Sequence, residues 1–584
     1  MKIVPVSKLL NDAGYTEPVL NALIPNEHNY SVLLMQPRGQ IEANASGVHN
    51  RDQNLAHEQF SQFLRNAFAN QADLVITPEY SMPWKVLVTS LKSGIIPNEG
   101  KIWAIGCESI TYPELEKIKQ DIAPNATFLF ENLPHVPDRQ TDPLAYVFLA
   151  KPNDSDAPKV VILVQFKTCT MGADCDHFEI NQLQLGTLIY QFGSVPSSLR
   201  LISLICSDAF DFSEQNHAKD IYVNTLIIHV QLNPNPRQAT YRKYRDQLFG
   251  YAGDTTEVIC LNWAHSVEEW GTNGKNDWQN IAGSAWYLRP NRFDIKDTTL
   301  CSNHQRGLYY TWFQNTKTHA LFFNYQEAVF RITTSKVAHV GVLDLKSQRR
   351  GPQLTNVLIW DENNNMWKEQ DTAEDGFTAL SEQSGPAKEE LRCIAKRNPI
   401  EVERVIALCV GDICHQGDWY SVQRLESFGI NATEVINRLT FCQDNHQLAY
   451  EYRTARVIKC GHLWRILKTN NQLPPSLAEF GDGFSLGWDP DCPHQNAISS
   501  AGKRATVIYL GEDKSYDQVE RVFTQTAALL QRGFTDANES HGARQRLAVW
   551  YRDIDGEIKQ YARGHFVNYS NPGDTNEYDI AKES

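Results

Sequence analysis

Hydrophobic positions along the chain fall into short unbroken runs separated by longer amphipathic or polar stretches. Tyr30 to Met35 (YSVLLM) is one such run, followed by Asp73 to Thr77, Ile102 to Cys107, Tyr146 to Ala150, Val160 to Phe166 and Leu201 to Cys206. Later runs are Thr225 to Val230, Glu257 to Trp263 and Ala282 to Leu288. Runs of this length, bounded by turn formers, predict strands buried on both faces. The pair around KPNDSDAPK reads as a hairpin. Between strands, Phe60, Phe63, Leu64, Ala67 and Phe68 recur at helix-face spacing, and residues 237–250 predict a more polar helix. Alternation of this kind predicts an α/β layered domain.

The same patterning divides the chain. Residues 1–29 read as an N-terminal extension and 30–345 as the layered domain. Residues 346–388 read as a linker or mobile insertion, because Asp361 to Lys388 is dense in Asp, Glu, Asn, Ser and Gly. Residues 389–584 read as a C-terminal α+β region: helical patterning to 470, a loop-rich tract over 471–503, then strand, helix and two strands. The last fourteen residues, NPGDTNEYDIAKES, read as an acidic tail.

Composition narrows the function classes. A chain of 584 residues with 42% hydrophobic and 21% charged residues is an ordinary folded protein of several domains. Its net charge of −14 argues against a nucleic-acid or anionic-membrane partner and favours a small or neutral one. No apolar stretch is long enough to span a bilayer, and the opening MKIVPVSKLLNDAGYTE has no signal-type apolar core. Twelve scattered cysteines fit reduced thiols, so a cytoplasmic location is expected.

Three of the strand-like runs end in a reactive side chain: Glu79, Lys167 and Cys206. A free thiol, with a pKa near ~8.5, is mostly protonated at neutral pH and needs a base to attack a carbon centre. Glu79 can be that base, Lys167 can stabilise the oxyanion together with a backbone N–H near Ser207, and Cys206 can carry the acyl group. Taken singly, each has a bland reading as a loop acid, a surface lysine or a buried thiol.

The blocks DLVITPEYSMPW, VILVQFKTCTMG and LRLISLICSDAFDF resemble, in order, approximate spacing and strand context, those of the nitrilase or carbon–nitrogen hydrolase superfamily. The resemblance covers about residues 30–345. It implies a nitrilase-like α-β-β-α sandwich, here with a C-terminal α+β extension, and a Glu79, Lys167, Cys206 catalytic set. It also implies a small-molecule amide or nitrile substrate, no cofactor, no metal and a homo-oligomer. Glu179 and Asp208 are auxiliary candidates by the same resemblance, with Asp174 and Asp176 competing for the role of Glu179. The chain departs from the family where Ser207 stands in place of an aromatic residue after the cysteine, and where DFSE replaces Phe-Pro-Glu. That departure favours an amide over a nitrile.

The expected activity is therefore thiol-dependent hydrolysis of a non-peptide carbon–nitrogen bond. Alternatives are an acyl or amine transferase using the same residues, or a catalytically silent scaffold or sensor that oligomerises, for instance in bacterial defence. Cys169, Cys175 and His177 lack a second half-site for a metal. The pairs Cys414/His415, Cys442/His446, Cys460/His462 and Cys492/His494 have poor zinc spacing and read as packing and surface residues. Beyond residue 346 there is no SGGXDS pyrophosphatase loop of the kind found in glutamine-dependent NAD synthetases, no Walker loop and no aromatic-X-Asp-Asp motif.

Overall fold

Apolar runs that cannot be solvated on either face pair into two large sheets. The computed structural model describes residues 1–134, 136, 138–171, 178–193, 199–236, 239–251, 255–271, 274–280, 283–288, 298–313, 318–337, 351–370, 381–397, 399–411, 447–469, 473–489, 492 and 494–562. They form a mixed α/β structure in two compact units, one holding the described residues up to 370 and the other those from 381 onward.

In the first unit, a ten-stranded sheet has Tyr30–Gln36, Leu74–Met82, Ile102–Cys107, Pro143–Pro152 and Lys159–Phe166 side by side at its centre. An eight-stranded sheet has Arg200–Ile205, Thr225–Val230 and Thr256–Leu261 as a parallel trio. Side chains alternate across each strand, and this decides what each face touches. From Pro143–Pro152 and Lys159–Phe166, Ala145, Val147, Ile162 and Val164 join Phe60, Phe63, Leu64, Leu87 and Leu115 in one core. These partners come from the helices Gln53–Asn70, Trp84–Lys92 and Tyr112–Ile122. The alternate residues face the other sheet: the Tyr146 and Phe148 rings lie 5.0 and 5.5 Å from Phe192, and Gln165 Nε2 donates to Ser203 O at 3.0 Å. Local signals set the helix ends. Asp52 caps two N–H groups of Gln53–Asn70, and Thr111 with Glu114 forms a capping box.

Two segments read as peripheral are built into these sheets. Within residues 1–29, Lys2–Pro5 pairs with Leu188–Phe192 at the edge of the eight-stranded sheet, and Tyr15–Thr16 pairs with Pro143–Pro152. Within 346–388, Gln353–Asp361 and Met366–Gln370 extend the ten-stranded sheet. The polar composition there concealed a tryptophan pair. Trp360 and Trp367 pack edge to face at 5.3 Å, and Trp367 Nε1 donates to Gln59 O at 3.0 Å, fixing these strands to the helix Gln53–Asn70. A small sheet of Gly39–Asn44, Gly47–Asn50, Ser266–Gly271 and Gly274–Gln279 was also not evident, since its strands are short and largely polar.

The second unit contains the parallel pair Arg504–Tyr509 and Leu547–Arg552, connected through the helices Tyr516–Gly533 and Ala537–Gln545. Ile508, Val519, Leu530, Leu547 and Val549 form its core. The tract 471–503, read as loop-rich, contributes Phe484–Leu486 and Ala497–Ser499 to the same sheet. The acidic tail lies outside the described residues. Among the described residues, no helix is long and apolar enough to cross a membrane.

Candidate active site

Glu79 owes its position to a break in strand pairing. Leu74 to Thr77 pair in register with Ile102 to Ile105, but the next pair is Met82 with Cys107, so Pro78 to Ser81 bulge out of the ladder. Tyr80 takes a left-handed φ of 59° in the bulge. Gly106 lies opposite, where a Cβ would come within 2.0 Å of Pro78 O, so the bulge requires glycine. Trp263 Nε1 donates to Glu79 O at 2.8 Å and fixes the main chain. The carboxylate accepts from Lys167 Nζ at 2.7 Å and from Leu232 N at 2.6 Å.

Lys167 follows the strand Lys159–Phe166. Its main chain is held on both sides, donating to Asp142 O at 2.9 Å and accepting from Gly186 N at 2.8 Å. Its fully buried ammonium touches three carboxyls: Glu179 at 2.5 Å, Glu79 at 2.7 Å and Asp142 at 3.6 Å. Glu179, in the short helix Phe178–Gln182, also accepts from Met171 N at 2.7 Å. Asp174 and Asp176 lie outside the described residues.

Cys206 stands directly after Arg200–Ile205 and before the helix Asp208–Glu214. Its N–H donates to Val230 O at 2.8 Å, and its φ is +40°, a conformation rare for a side-chain-bearing residue. Buried His229 steadies this turn, with Nε2 2.9 Å from Cys206 O and Nδ1 2.7 Å from the Tyr244 hydroxyl. Burial pushes the imidazole down to about 3, so it is neutral at physiological pH. A carbonyl can only accept, so the single ring proton sits on Nε2 and Tyr244 donates to Nδ1. Sequence reasoning missed this residue, although a histidine inside the apolar run TLIIHV was the available signal.

The Cys206 thiol is 1% exposed, with Met171 Sδ at 3.6 Å and Tyr241 OH at 3.7 Å. Burial, followed by the charge on Glu79, pushes it well above the usual thiol range, with Lys167 opposing and Glu179 adding to the effect. Those four groups therefore lie within one another's electrostatic reach. For Lys167, burial works against the charge, but Glu179 and Glu79 outweigh it and hold the ammonium well above its ordinary value. Burial raises Glu79, while Lys167 pulls it back. The resting arrangement is a neutral thiol within electrostatic reach of a buried ammonium and the carboxyl groups bonded to it.

Asp208, expected as an auxiliary residue, has bonds that order the two segments beside Cys206. It accepts from Thr168 N and Oγ1 at 2.6 and 2.7 Å, and from Ile205 N at 2.9 Å. It thus ties the segment after Lys167 to the end of the Cys206 strand, and burial raises it to about 6. Among the described residues, no group of three His, Cys, Asp or Glu is arranged to hold a metal ion. Cys175, His177, Cys414, His415, Cys442 and His446 lie outside the described residues.

Met171 and Tyr241, which also contact each other, cover the sulfur. Displacing a packed thioether costs about 1 kcal/mol, so Met171→Ala is expected to speed alkylation of Cys206 by iodoacetamide about fivefold. Peptide mapping of the alkylated cysteine reads this directly, and an unchanged rate would show that Met171 does not limit access.

No protein-family model matches the chain, and no curated protein matches it. Among solved structures it is similar to a glutamine-dependent NAD+ synthetase from Acinetobacter baumannii, in complex with adenosine diphosphate. The TM-score is 0.30 at 12% identity, covering 66% of this chain and 56% of that one.

Proposed function

We propose that the protein hydrolyses a non-peptide carbon–nitrogen bond of a small amide through a thioester on Cys206, on a nitrilase-like sandwich. The observation that carries this reading is the Lys167 ammonium bonded to Glu79 and Glu179, with the Cys206 thiol within their electrostatic reach at a strained strand-to-helix turn. As Sγ bonds to the substrate carbonyl carbon, its proton passes to Glu79 and the carbonyl electron pair moves onto oxygen, where Lys167 stabilises it. Collapse expels the amine, which takes the proton from Glu79. Water then attacks the thioester while giving a proton to Glu79, and the departing Cys206 sulfur recovers that proton. A general base is needed because burial keeps the thiol protonated at rest.

Intact-mass spectrometry after incubation with a panel of small aliphatic and aromatic amides tests the reading. An acyl adduct on Cys206 with ammonia release, both lost in Cys206→Ala, is the expected result. Adducts that pass to an added amine faster than to water would make the protein a transferase. Absence of both adduct and ammonia across the panel would favour a silent scaffold.

A further inference from the structure

Strand register gives Lys167 a third carboxyl. Pro143 pairs with Phe166, so Asp142 and Lys167 lie side by side at the same end of neighbouring strands. The Asp142 carboxyl is 1% exposed and 3.6 Å from Lys167 Nζ; among the described residues no N–H group donates to either of its oxygens, and it hydrogen-bonds instead with the Glu79 carboxyl, a contact that needs a proton between the two. One cation thus faces three carboxyls where water is excluded. With all three ionised, two negative charges would be uncompensated, and a cluster of this kind retains a proton instead.

The hydrogen bonds show which carboxyl keeps it. Glu79 receives Lys167 Nζ and Leu232 N, while Glu179 receives Lys167 Nζ and Met171 N. Pairs of N–H donors stabilise the anion. Asp142 has no such donors. We propose that Asp142 is the proton-bearing carboxyl of this site, a neutral acid at physiological pH that leaves Lys167 paired with two anions and keeps Glu79 free to act as base. The groups facing it agree with this assignment. Burial, then the charge on Glu79, pushes Asp142 well above the carboxylate range, with Lys167 opposing and the hydrogen bond to Glu79 and then Glu179 adding. The Tyr80 hydroxyl and the Cys107 thiol also lie within electrostatic reach of Asp142. In this role Asp142 is a positioning residue. Only the benefit to Glu79 rests on the amide-hydrolase reading.

The test needs no turnover, so failure of an amide assay and failure of this assignment are separate results. An unfolded aspartate ionises near ~3.9. Above that pH the unfolded chain releases a proton that the native site keeps, so this group makes the wild type lose stability as pH rises. Asp142→Asn lacks that slope. The melting temperature of the variant minus that of the wild type is therefore expected to increase steadily from about pH 4 to about pH 8. A constant or falling difference would overturn the proposal. Infrared spectra of protein carrying 13C-aspartate provide a second measurement, taken near pH 8, where Asp208, raised only to about 6, is ionised. The wild type is expected to show a protonated-carboxyl C=O band that Asp142→Asn lacks. If the variant does not fold, the wild-type spectrum still decides, because absence of that band overturns the assignment.

Discussion

Lys167→Met is expected to destabilise the protein by about 3–5 kcal/mol at neutral pH, the cost of leaving buried charge uncompensated. Methionine fills similar volume but returns no charge to Glu79 and Glu179, which lie 2.7 and 2.5 Å from the ammonium in the wild type. The sign of the pH dependence follows from the linkage. The folded Lys167 value is raised, so its contribution is fully present below the unfolded value near ~10.4 and is lost only as pH rises through the higher folded value. Neutral pH therefore carries the whole effect. Acidification toward about pH 4 protonates carboxyls in the variant and narrows its deficit. Urea denaturation at both pH values measures this, and a neutral-pH loss under about 1 kcal/mol would falsify the view that Lys167 compensates the carboxyls.

Glu79→Gln is expected to lower the rate of thioester formation by about 10²- to 10⁴-fold, the usual contribution of a general base. The amide is nearly isosteric, but it has one acceptor oxygen for two donors, Lys167 Nζ and Leu232 N, and presents N–H to the other. A stability cost of about 1–3 kcal/mol accompanies the change. Single-turnover acylation of Cys206, normalised to the folded fraction from circular dichroism, separates the two effects. A rate within about threefold of wild type would place the base elsewhere.

Much of this site was legible in local patterning. The runs ending at Glu79, Lys167 and Cys206 are strands or strand ends in the structure, and the helix over Phe60 to Phe68 lies within Gln53–Asn70. Composition misled where it was averaged over a segment. The tract around Trp360 and Trp367 looked like a linker because acids and amides outnumber its apolar residues, yet two indoles suffice to anchor a strand pair on a helix. Asp208 was legible as a neighbour of the cysteine, but its partners were not: its carboxyl accepts from Thr168 and Ile205, on two different strand ends.

By itself, the sequence determined which residues lie on or directly after buried strands, because an unbroken apolar run must be covered on both faces. Only the tertiary structure decided which charges meet there. Asp142 reaches Lys167 through the pairing of Pro143 with Phe166, and His229 reaches the Cys206 carbonyl from a neighbouring strand. Strand register and sheet order set those encounters. They arise from pairing between segments distant in the chain, which no local pattern of hydrophobic and polar residues encodes.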